Sequence, residues 1–133
     1  MKRILLAYDG GEPAKRALEQ TIELATRFTA EVGVISVVPV KAGHAPIDPW
    51  DDRTVHAEEL LEARRALREA GIEAEMLEPG GDVAKTIERV AEERGYDTIV
   101  IGSRGLGSLA KVLQGSVSEH VATHAHATVI VAR

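Results

Sequence analysis

The chain has 133 residues, of which 44% are hydrophobic and 28% charged, and its formal net charge is −5. This composition is typical of one globular domain, and the negative charge argues against partners such as nucleic acid or an anionic membrane surface. The absence of cysteine excludes disulfides and thiolate chemistry, and no apolar stretch has the length of a signal peptide core or a membrane span, so we expect a cytoplasmic protein.

Strands and helices are predicted to alternate in the first half of the chain. Residues 4–8 form a short apolar run typical of a buried strand, which ends at Asp9-Gly10-Gly11. Pro13 suits the first turn of the helix that follows. Residues 32–38 are rich in β-branched side chains and predict a second strand, and residues 41–50 predict a loop. The apolar face predicted for the first helix is Ala14, Leu18, Ile22, Ala25 and Phe28.

The second half repeats this alternation. A helix capped by Asp51 or Asp52 precedes a third strand at residues 72–77, whose alternating glutamates indicate a position near a sheet edge. Residues 79–81 predict a turn, and Asp82 is expected to cap a third helix. A strand at 98–101 without a polar face is expected to be central, and a helix at about 114–124 leads to the last strand at 128–131. The predicted core face of the second helix is His56, Leu60, Ala63, Leu67 and Ala70.

This order of elements predicts an α/β fold, a parallel sheet with helices on both faces. In such sheets ligands bind beyond the carboxyl ends of the strands, where the strand order reverses. Two segments of the chain suit that edge. One is the Asp9-Gly10-Gly11 turn, and the other is the glycine-rich segment that begins at Gly102.

The glycine-rich segment, residues 101–120, predicts a phosphate site. Glycines let backbone N–H groups crowd around an anion, and the start of a helix adds unpaired N–H groups. The alternative is a tight connection in which the glycines serve only the turns. The segment lacks a Walker-type GxxxxGK[ST] motif. It contains GxGxxA at residues 105–110, but the chain has no acidic residue after its last strand, as a dinucleotide fold requires.

The spacing of this segment resembles the ATP-binding branch of the universal stress protein family. The pattern is Gly, two residues, Gly, nine residues and Gly-Ser, met by Gly102, Gly105 and Gly115-Ser116. The similarity extends over residues 1–133 as one universal stress protein domain. It implies a five-stranded parallel sheet in the order 3-2-1-4-5, a Rossmann-like arrangement, with ATP across the first and fourth strands.

The resemblance also implies roles for individual residues. Asp9 matches an acidic residue near the ribose and the metal, and would act on Mg²⁺ indirectly, through the bound ATP. Without the resemblance, Asp9 is equally well read as a plain turn residue. Val37 matches a position whose backbone meets the adenine. Arg104 and Gly107 lie inside the glycine-rich segment and add a charge and a further glycine to the predicted phosphate site. Together with the resemblance, this predicts as nucleotide-binding residues Ala7, Asp9, Val37, Ile101, Gly102, Arg104, Gly105, Gly107, Gly115, Ser116 and Val117.

The chain departs from the family at Gly11 and Ala14, where members often carry serine. Capping of the first helix or a modification there is therefore in doubt, whereas ATP binding is little affected. No Ser, His and Asp set has a recognisable catalytic spacing, and no residue is identified to orient an attacking water. We expect a nucleotide-binding regulatory protein of the stress response. The alternatives are a slow ATPase or ATP-pyrophosphatase-like enzyme, and a family member that acts through protein contacts without nucleotide.

Several other residues have two interpretations each. His120 and His124 are four apart on a predicted helix and are followed by His126, so they suit either a metal site or the negative end of the helix dipole. Trp50 either covers the pocket or anchors its loop. The predicted solvated, mixed-charge face of the second helix is Glu58, Glu59, Glu62, Arg64, Arg65, Arg68 and Glu69.

The last predicted strand indicates self-association. It consists of Thr128, Val129, Ile130 and Val131, and its position after the last helix predicts a sheet edge. An uncovered apolar edge favours pairing with the same strand of a second copy about a two-fold axis. The family resemblance implies the same homodimer.

Overall fold

Strands and helices alternate along residues 1–39, 53–103 and 116–133, which the computed structural model describes; at residues 53–55 and 116 only the backbone is described. In chain order the elements are β1 (Arg3–Ala7), α1 (Glu12–Phe28), β2 (Glu31–Ile35), β3 (Val38–Pro39), α2 (Arg53–Glu69), β4 (Ala74–Leu77), β5 (Gly80–Gly81), α3 (Val83–Glu93), β6 (Thr98–Gly102), α4 (Ser116–His124) and β7 (Thr128–Ala132). Among these helices none is both long and apolar enough to cross a bilayer.

Five of the strands form one parallel sheet in the order β4-β2-β1-β6-β7. Counting only these five strands, this is the order 3-2-1-4-5, so the predicted topology is confirmed. The edge positions predicted for the third and last strands are also confirmed, because β4 and β7 each pair on one side only. The strand β6 lies between β1 and β7, as its lack of a polar face predicts.

The central strand β1 divides the core into two layers. Ile4 and Leu6 point into the layer packed against α1 and α2, whereas Leu5 and Ala7 point into the layer packed against α3 and α4. Ile4, Leu5 and Leu6 are all fully buried. A strand covered on both faces has no polar alternation, which is why its sequence reads as a continuous apolar run.

Local sequence signals set the helix boundaries. Pro13 lies in the first turn of α1, and Thr29 ends that helix in the left-handed conformation. At the start of α3, the Asp82 carboxylate accepts a hydrogen bond from the Lys85 amide at 3.0 Å, so the predicted cap is confirmed. The caps proposed for α2 at Asp51 and Asp52 lie outside the described residues.

The second strand differs from its prediction. It ends at Ile35 rather than at residue 38, and Val38–Pro39 forms the separate strand β3, which pairs with Gly80–Gly81 of β5. Residues 79–81, which were predicted as a turn, therefore also contain the short strand β5. The amides of Ser36 and Val38 donate to the carbonyls of Leu77 and Pro79, so the two chain segments continue side by side beyond the main sheet.

Two residues predicted on apolar helix faces are exposed. Phe28 is 55% exposed because it is the last residue of α1, where the helix has passed the buried part of the sheet. Ala70 lies one residue beyond the end of α2 and is exposed. The remaining predicted face of α2, formed by His56, Leu60, Ala63 and Leu67, is buried.

The phenol ring of Tyr96 packs against the backbone of β2 at Gly33. A Cβ atom at Gly33 would lie 2.1 Å from the Tyr96 hydroxyl oxygen and 2.6 Å from the adjoining ring carbon. The hydroxyl donates to Glu75 at 2.9 Å, and the side chain is 5% exposed, so the ring has little freedom to move away. Gly33 is thus required by close packing rather than by a turn.

We expect Gly33→Ala to destabilise the fold by about 1–3 kcal/mol, because the added methyl group overpacks a site that the Tyr96 ring fills. The measurement is the free energy of unfolding in urea. The control is the same substitution in a Tyr96→Leu background, where the penalty should shrink because the shorter side chain leaves room. Equal penalties in the two backgrounds would contradict this explanation.

Candidate functional site

The carboxyl ends of the parallel strands form one edge of the sheet, the carboxyl edge. The predicted site residues that the structure describes lie along this edge, where the strand order reverses. Ala7, at the end of β1, pairs with Ile35 of β2 on one side and with Ile101 of β6 on the other. The chain leaves β1 and β6 toward helices on opposite faces of the sheet, α1 packing in one layer and α4 in the other. A crevice at such a switch point is the usual ligand site of open parallel sheets.

Asp9 lies just beyond this point and is exposed. Its Oδ1 atom accepts a hydrogen bond from the Gly11 amide at 2.9 Å, which closes a tight turn before α1. Gly10 follows with φ of 79°, a conformation that favours glycine. Asp9 therefore acts as a turn residue, and its carboxylate remains exposed at the carboxyl edge.

Gly102 has a structural reason to be glycine. A Cβ atom there would lie 2.8 Å from the carbonyl carbon of Pro13 and 2.9 Å from the Ala14 nitrogen. The first turn of α1 therefore lies directly against the end of β6. This packing explains Gly102 without a ligand, so the identity of this residue does not by itself indicate phosphate binding.

The start of α4 lies next to the end of β6. The helix begins at Ser116, and the hydroxyl group of Ser118 donates to the carbonyl oxygen of Ser103 at 2.9 Å. Val117 is half-buried and packs against the apolar layer of α3 and α4, so its side chain is engaged in the core and any ligand contact would use its backbone amide. The helix dipole accordingly points its positive end toward the carboxyl edge.

The other predicted residues divide into two groups. Ala7, Val37 and Ile101 are at most 9% exposed, and their side chains belong to the core, which leaves their backbone atoms for any ligand contact. The rest lie outside the described residues, namely Arg104, Gly105, Gly107, Gly115 and Trp50.

The structure adds a polar cluster that the sequence analysis missed. The Tyr8 hydroxyl donates to Glu62, and the Ser36 hydroxyl lies 2.7 Å from Nδ1 of His56 and 3.2 Å from a carboxylate oxygen of Glu59. Glu59 and Glu62 were predicted on a solvated face, and this is wrong for the Glu59 side chain, which is 18% exposed. The signal available in the sequence was His56, a polar residue on the predicted core face.

Both tyrosines of the chain have raised pKa values. Burial raises the pKa of Tyr8 above its ordinary value of 10.0, and the Glu62 carboxylate adds to this because it accepts the phenol proton in a hydrogen bond. Burial, reinforced by the Glu75 carboxylate, raises the pKa of Tyr96 to about 12, although the cations of Arg3 and Arg94 oppose the shift. Each phenol is thus held neutral by a desolvated site and a nearby anion.

We expect the folded protein to show no tyrosinate absorbance at 295 nm near pH 10, where the urea-unfolded chain titrates. The stability gained from the neutral phenols is full below the unfolded pKa of 10.0 and is lost as the pH rises through the folded value, about 12 for Tyr96. The free energy of unfolding should therefore fall across that interval.

The matched variant is Tyr96→Phe, which should remove the step near pH 12 and leave the Tyr8 step. A folded protein in which both phenols titrate at 10 would contradict the burial and the anionic neighbours as the cause.

Comparison with known proteins places this geometry in a family. The universal stress protein family model matches residues 1–133. A universal stress protein of Methanocaldococcus jannaschii is 33% identical over 141 residues, which covers 99% of this chain and 82% of that protein. A structure of a universal stress protein from Archaeoglobus fulgidus superposes with a TM-score of 0.81 at 26% identity, over 100% of this chain and 94% of that chain.

A second Archaeoglobus fulgidus structure, of the universal stress protein in complex with dAMP, superposes with a TM-score of 0.78 at 25% identity. It covers 100% of this chain and 98% of that chain. The full-length family match and the identity to the Methanocaldococcus protein show that the chain belongs to the universal stress protein family.

Proposed function

We propose that this chain binds an adenine nucleotide, ATP with Mg²⁺, at the carboxyl edge between β1 and β6, and that it acts as a nucleotide-dependent regulatory protein of the stress response. The observation that carries the proposal is the pairing of Ala7 with Ile101, which sets the Asp9 turn beside the chain that leaves β6. The Archaeoglobus relative in complex with dAMP supports the adenine nucleotide as the ligand class.

The phosphates are assigned to the segment between Gly102 and Ser116. The positive end of the α4 dipole at Ser116 supports an anion there, since the first amides of a helix have no partner within it. The motif residues Gly105, Gly107 and Gly115, together with Arg104, lie in the same connection. The backbone of Ala7, Val37 and Ile101 is assigned to the base and the sugar.

Asp9 suits an indirect role toward Mg²⁺. One of its oxygens already accepts the Gly11 amide, which fixes the carboxylate at the edge of the sheet, where it is exposed. Mg²⁺ on a nucleotide takes most of its ligands from phosphate and water and needs only one or two protein groups. The metal would neutralise phosphate charge, and Asp9 would act on it indirectly, through a coordinated water or through the bound ATP.

Asp9→Asn should weaken binding of Mg²⁺–ATP by about tenfold or more, because it removes one anionic hydrogen-bonding group while asparagine still closes the turn to Gly11. Isothermal titration calorimetry on nucleotide-free protein measures the change.

Gly115→Val should also weaken binding, since a side chain would occupy the place at which phosphate oxygens approach the backbone.

The matched control is Glu31→Gln, which removes one negative charge at the opposite end of β2 and should leave the affinity unchanged. Mass spectrometry of the supernatant from denatured protein shows first whether nucleotide is retained through purification. Unchanged affinity in both Asp9→Asn and Gly115→Val would overturn the assignment of the site.

We further propose that the protein acts as a homodimer through β7. Among the described residues this strand pairs with β6 alone, and Val131 is 40% exposed. The Thr128 amide donates to the backbone carbonyl of Asp97, and the Ala132 carbonyl accepts from the Ser103 amide. The backbone N–H and C=O groups of residues 128, 130 and 132 therefore face β6. By strand alternation, the N–H groups of Val129 and Val131 face away from β6. An antiparallel second copy would satisfy them.

Val131→Pro should dissociate the dimer while leaving the fold intact, because it removes an outward N–H group and edge positions tolerate proline. Sedimentation velocity at tens of micromolar measures the oligomeric state, and circular dichroism measures the fold. Ile130→Pro is the contrasting variant, since it removes an N–H group that faces β6 and should disturb the fold itself. A parent chain that is monomeric at this concentration, or a Val131→Pro variant that remains dimeric, would contradict pairing through β7.

A further inference from the structure

The facing surfaces of α3 and α4 carry a histidine and carboxylate cluster away from the carboxyl edge. His120 and His124 lie one turn apart on α4, and their rings stack with centroids 4.1 Å apart and planes inclined by 22°. Glu88 projects from α3, and its carboxylate lies 2.8 Å from Nδ1 of His120. One nitrogen from each histidine and one oxygen of Glu88 all lie within 4.8 Å of one another.

We propose that Glu88, His120 and His124 bind a divalent transition metal ion of the Zn²⁺ class. Two imidazole nitrogens and one carboxylate oxygen are a donor set that Zn²⁺ accepts, with bonds of about 2.0–2.2 Å. Bonds of that length at tetrahedral angles separate donor atoms by about 3.4 Å, so binding requires the side chains to move closer together and the two stacked imidazole rings to tilt until both lone pairs point at one ion. Tetrahedral coordination leaves one position for water.

The hydrogen bonds of the cluster indicate which nitrogen of each histidine would bind the ion. The carbonyl oxygen of His120 can only accept, so Nδ1 of His124, at 3.0 Å from it, carries its proton and Nε2 holds a lone pair. On His120 the ion would bind Nδ1, which faces Glu88, in place of the proton there, and that proton would move to Nε2 of the same ring. Both histidines then remain neutral, as metal ligands must be.

The surroundings favour a cation. Glu88 is largely buried, with 18% of its side chain exposed, and its carboxylate therefore has limited access to water. Glu92 lies one helical turn farther along α3, 3.9 Å from Nδ1 of His126. Glu88 also lines a pocket of about 320 Å³, whose other walls come from α3, from residues 95–97 and from residues 125–128 after α4, so Glu92 and Asp97 add negative charge near the cluster.

The test is titration of Zn²⁺ into tag-free, chelator-treated protein without nucleotide, followed by calorimetry and by the shift in melting temperature. We expect saturable binding of one Zn²⁺ per chain, a rise in melting temperature, and absorption bands of tetrahedral Co²⁺ when that ion is used. His124→Ala and Glu88→Gln should each weaken binding by about tenfold or more. Mg²⁺ should not substitute, because it prefers oxygen ligands.

The matched control is His126→Ala, which removes an exposed histidine of the same surface that is outside the ligand set and should leave the affinity unchanged. His124 is exposed, so His124→Ala is expected to fold even if Glu88→Gln does not. Absence of saturable Zn²⁺ binding, equal affinity in His124→Ala and the parent chain, or equal loss in His126→Ala would overturn the site.

Discussion

The fold depends on the burial of β1 on both faces and along both edges. Its side chains Ile4, Leu5 and Leu6 are excluded from water, and its backbone is paired with β2 and β6. The buried middle of a strand in this position has no room for a polar side chain, and the polar side chains lie at its two ends. Asp9 follows at the carboxyl end, and Asp97, before β6, accepts the amides of Lys2 and Arg3 at the other end. Although burial opposes ionisation of Asp97, these hydrogen bonds and that from Thr98 lower its pKa. Asp97 thus fixes the amino end of the central strand, and Asp9 closes the turn that follows its carboxyl end.

The geometry of the carboxyl edge follows from that arrangement. The chain leaves the adjacent strands β1 and β6 toward helices on opposite faces of the sheet, which is the arrangement that forms a ligand crevice in open parallel sheets. Gly102 lets the first turn of α1 lie against the end of β6, and the Ser118 hydroxyl holds the start of α4 to Ser103. Close packing and one hydrogen bond therefore bring the first turn of α1 and the start of α4 to the same edge. A ligand that used this edge would meet a scaffold whose positions are set by core contacts rather than by the ligand.

The strand order was predicted from the family resemblance, whereas the edge strands and the cap at Asp82 were predicted from the pattern of polar and apolar residues and from local turn chemistry. The sequence did not predict that Val38 and Pro39 pair with Gly80 and Gly81, since strands of two residues have no periodicity to detect. It also missed the contacts of Glu59 and Glu62. A charged helix face gives no sign that some of its side chains reach Tyr8 and Ser36, which follow the ends of β1 and β2. For the site, Asp9 and Ser116 are recognisable from the resemblance and from their neighbours. The role of Gly102 in packing is visible only from the approach of Pro13.

The helix α4 connects the two proposed ligand sites. Val121 is fully buried, and together with the Ser118 hydrogen bond it fixes both the rotation and the axial position of the helix. At a rise of about 1.5 Å per residue, His120 and His124 lie about 6 and 12 Å from Ser116 along the axis. The nucleotide would therefore meet the positive end of the helix and the metal ion its last two turns, where the dipole favours positive charge. One short helix would thus place the proposed anion site at its positive end and His124 of the proposed cation site in its last turn, each matched to the sign of the dipole there.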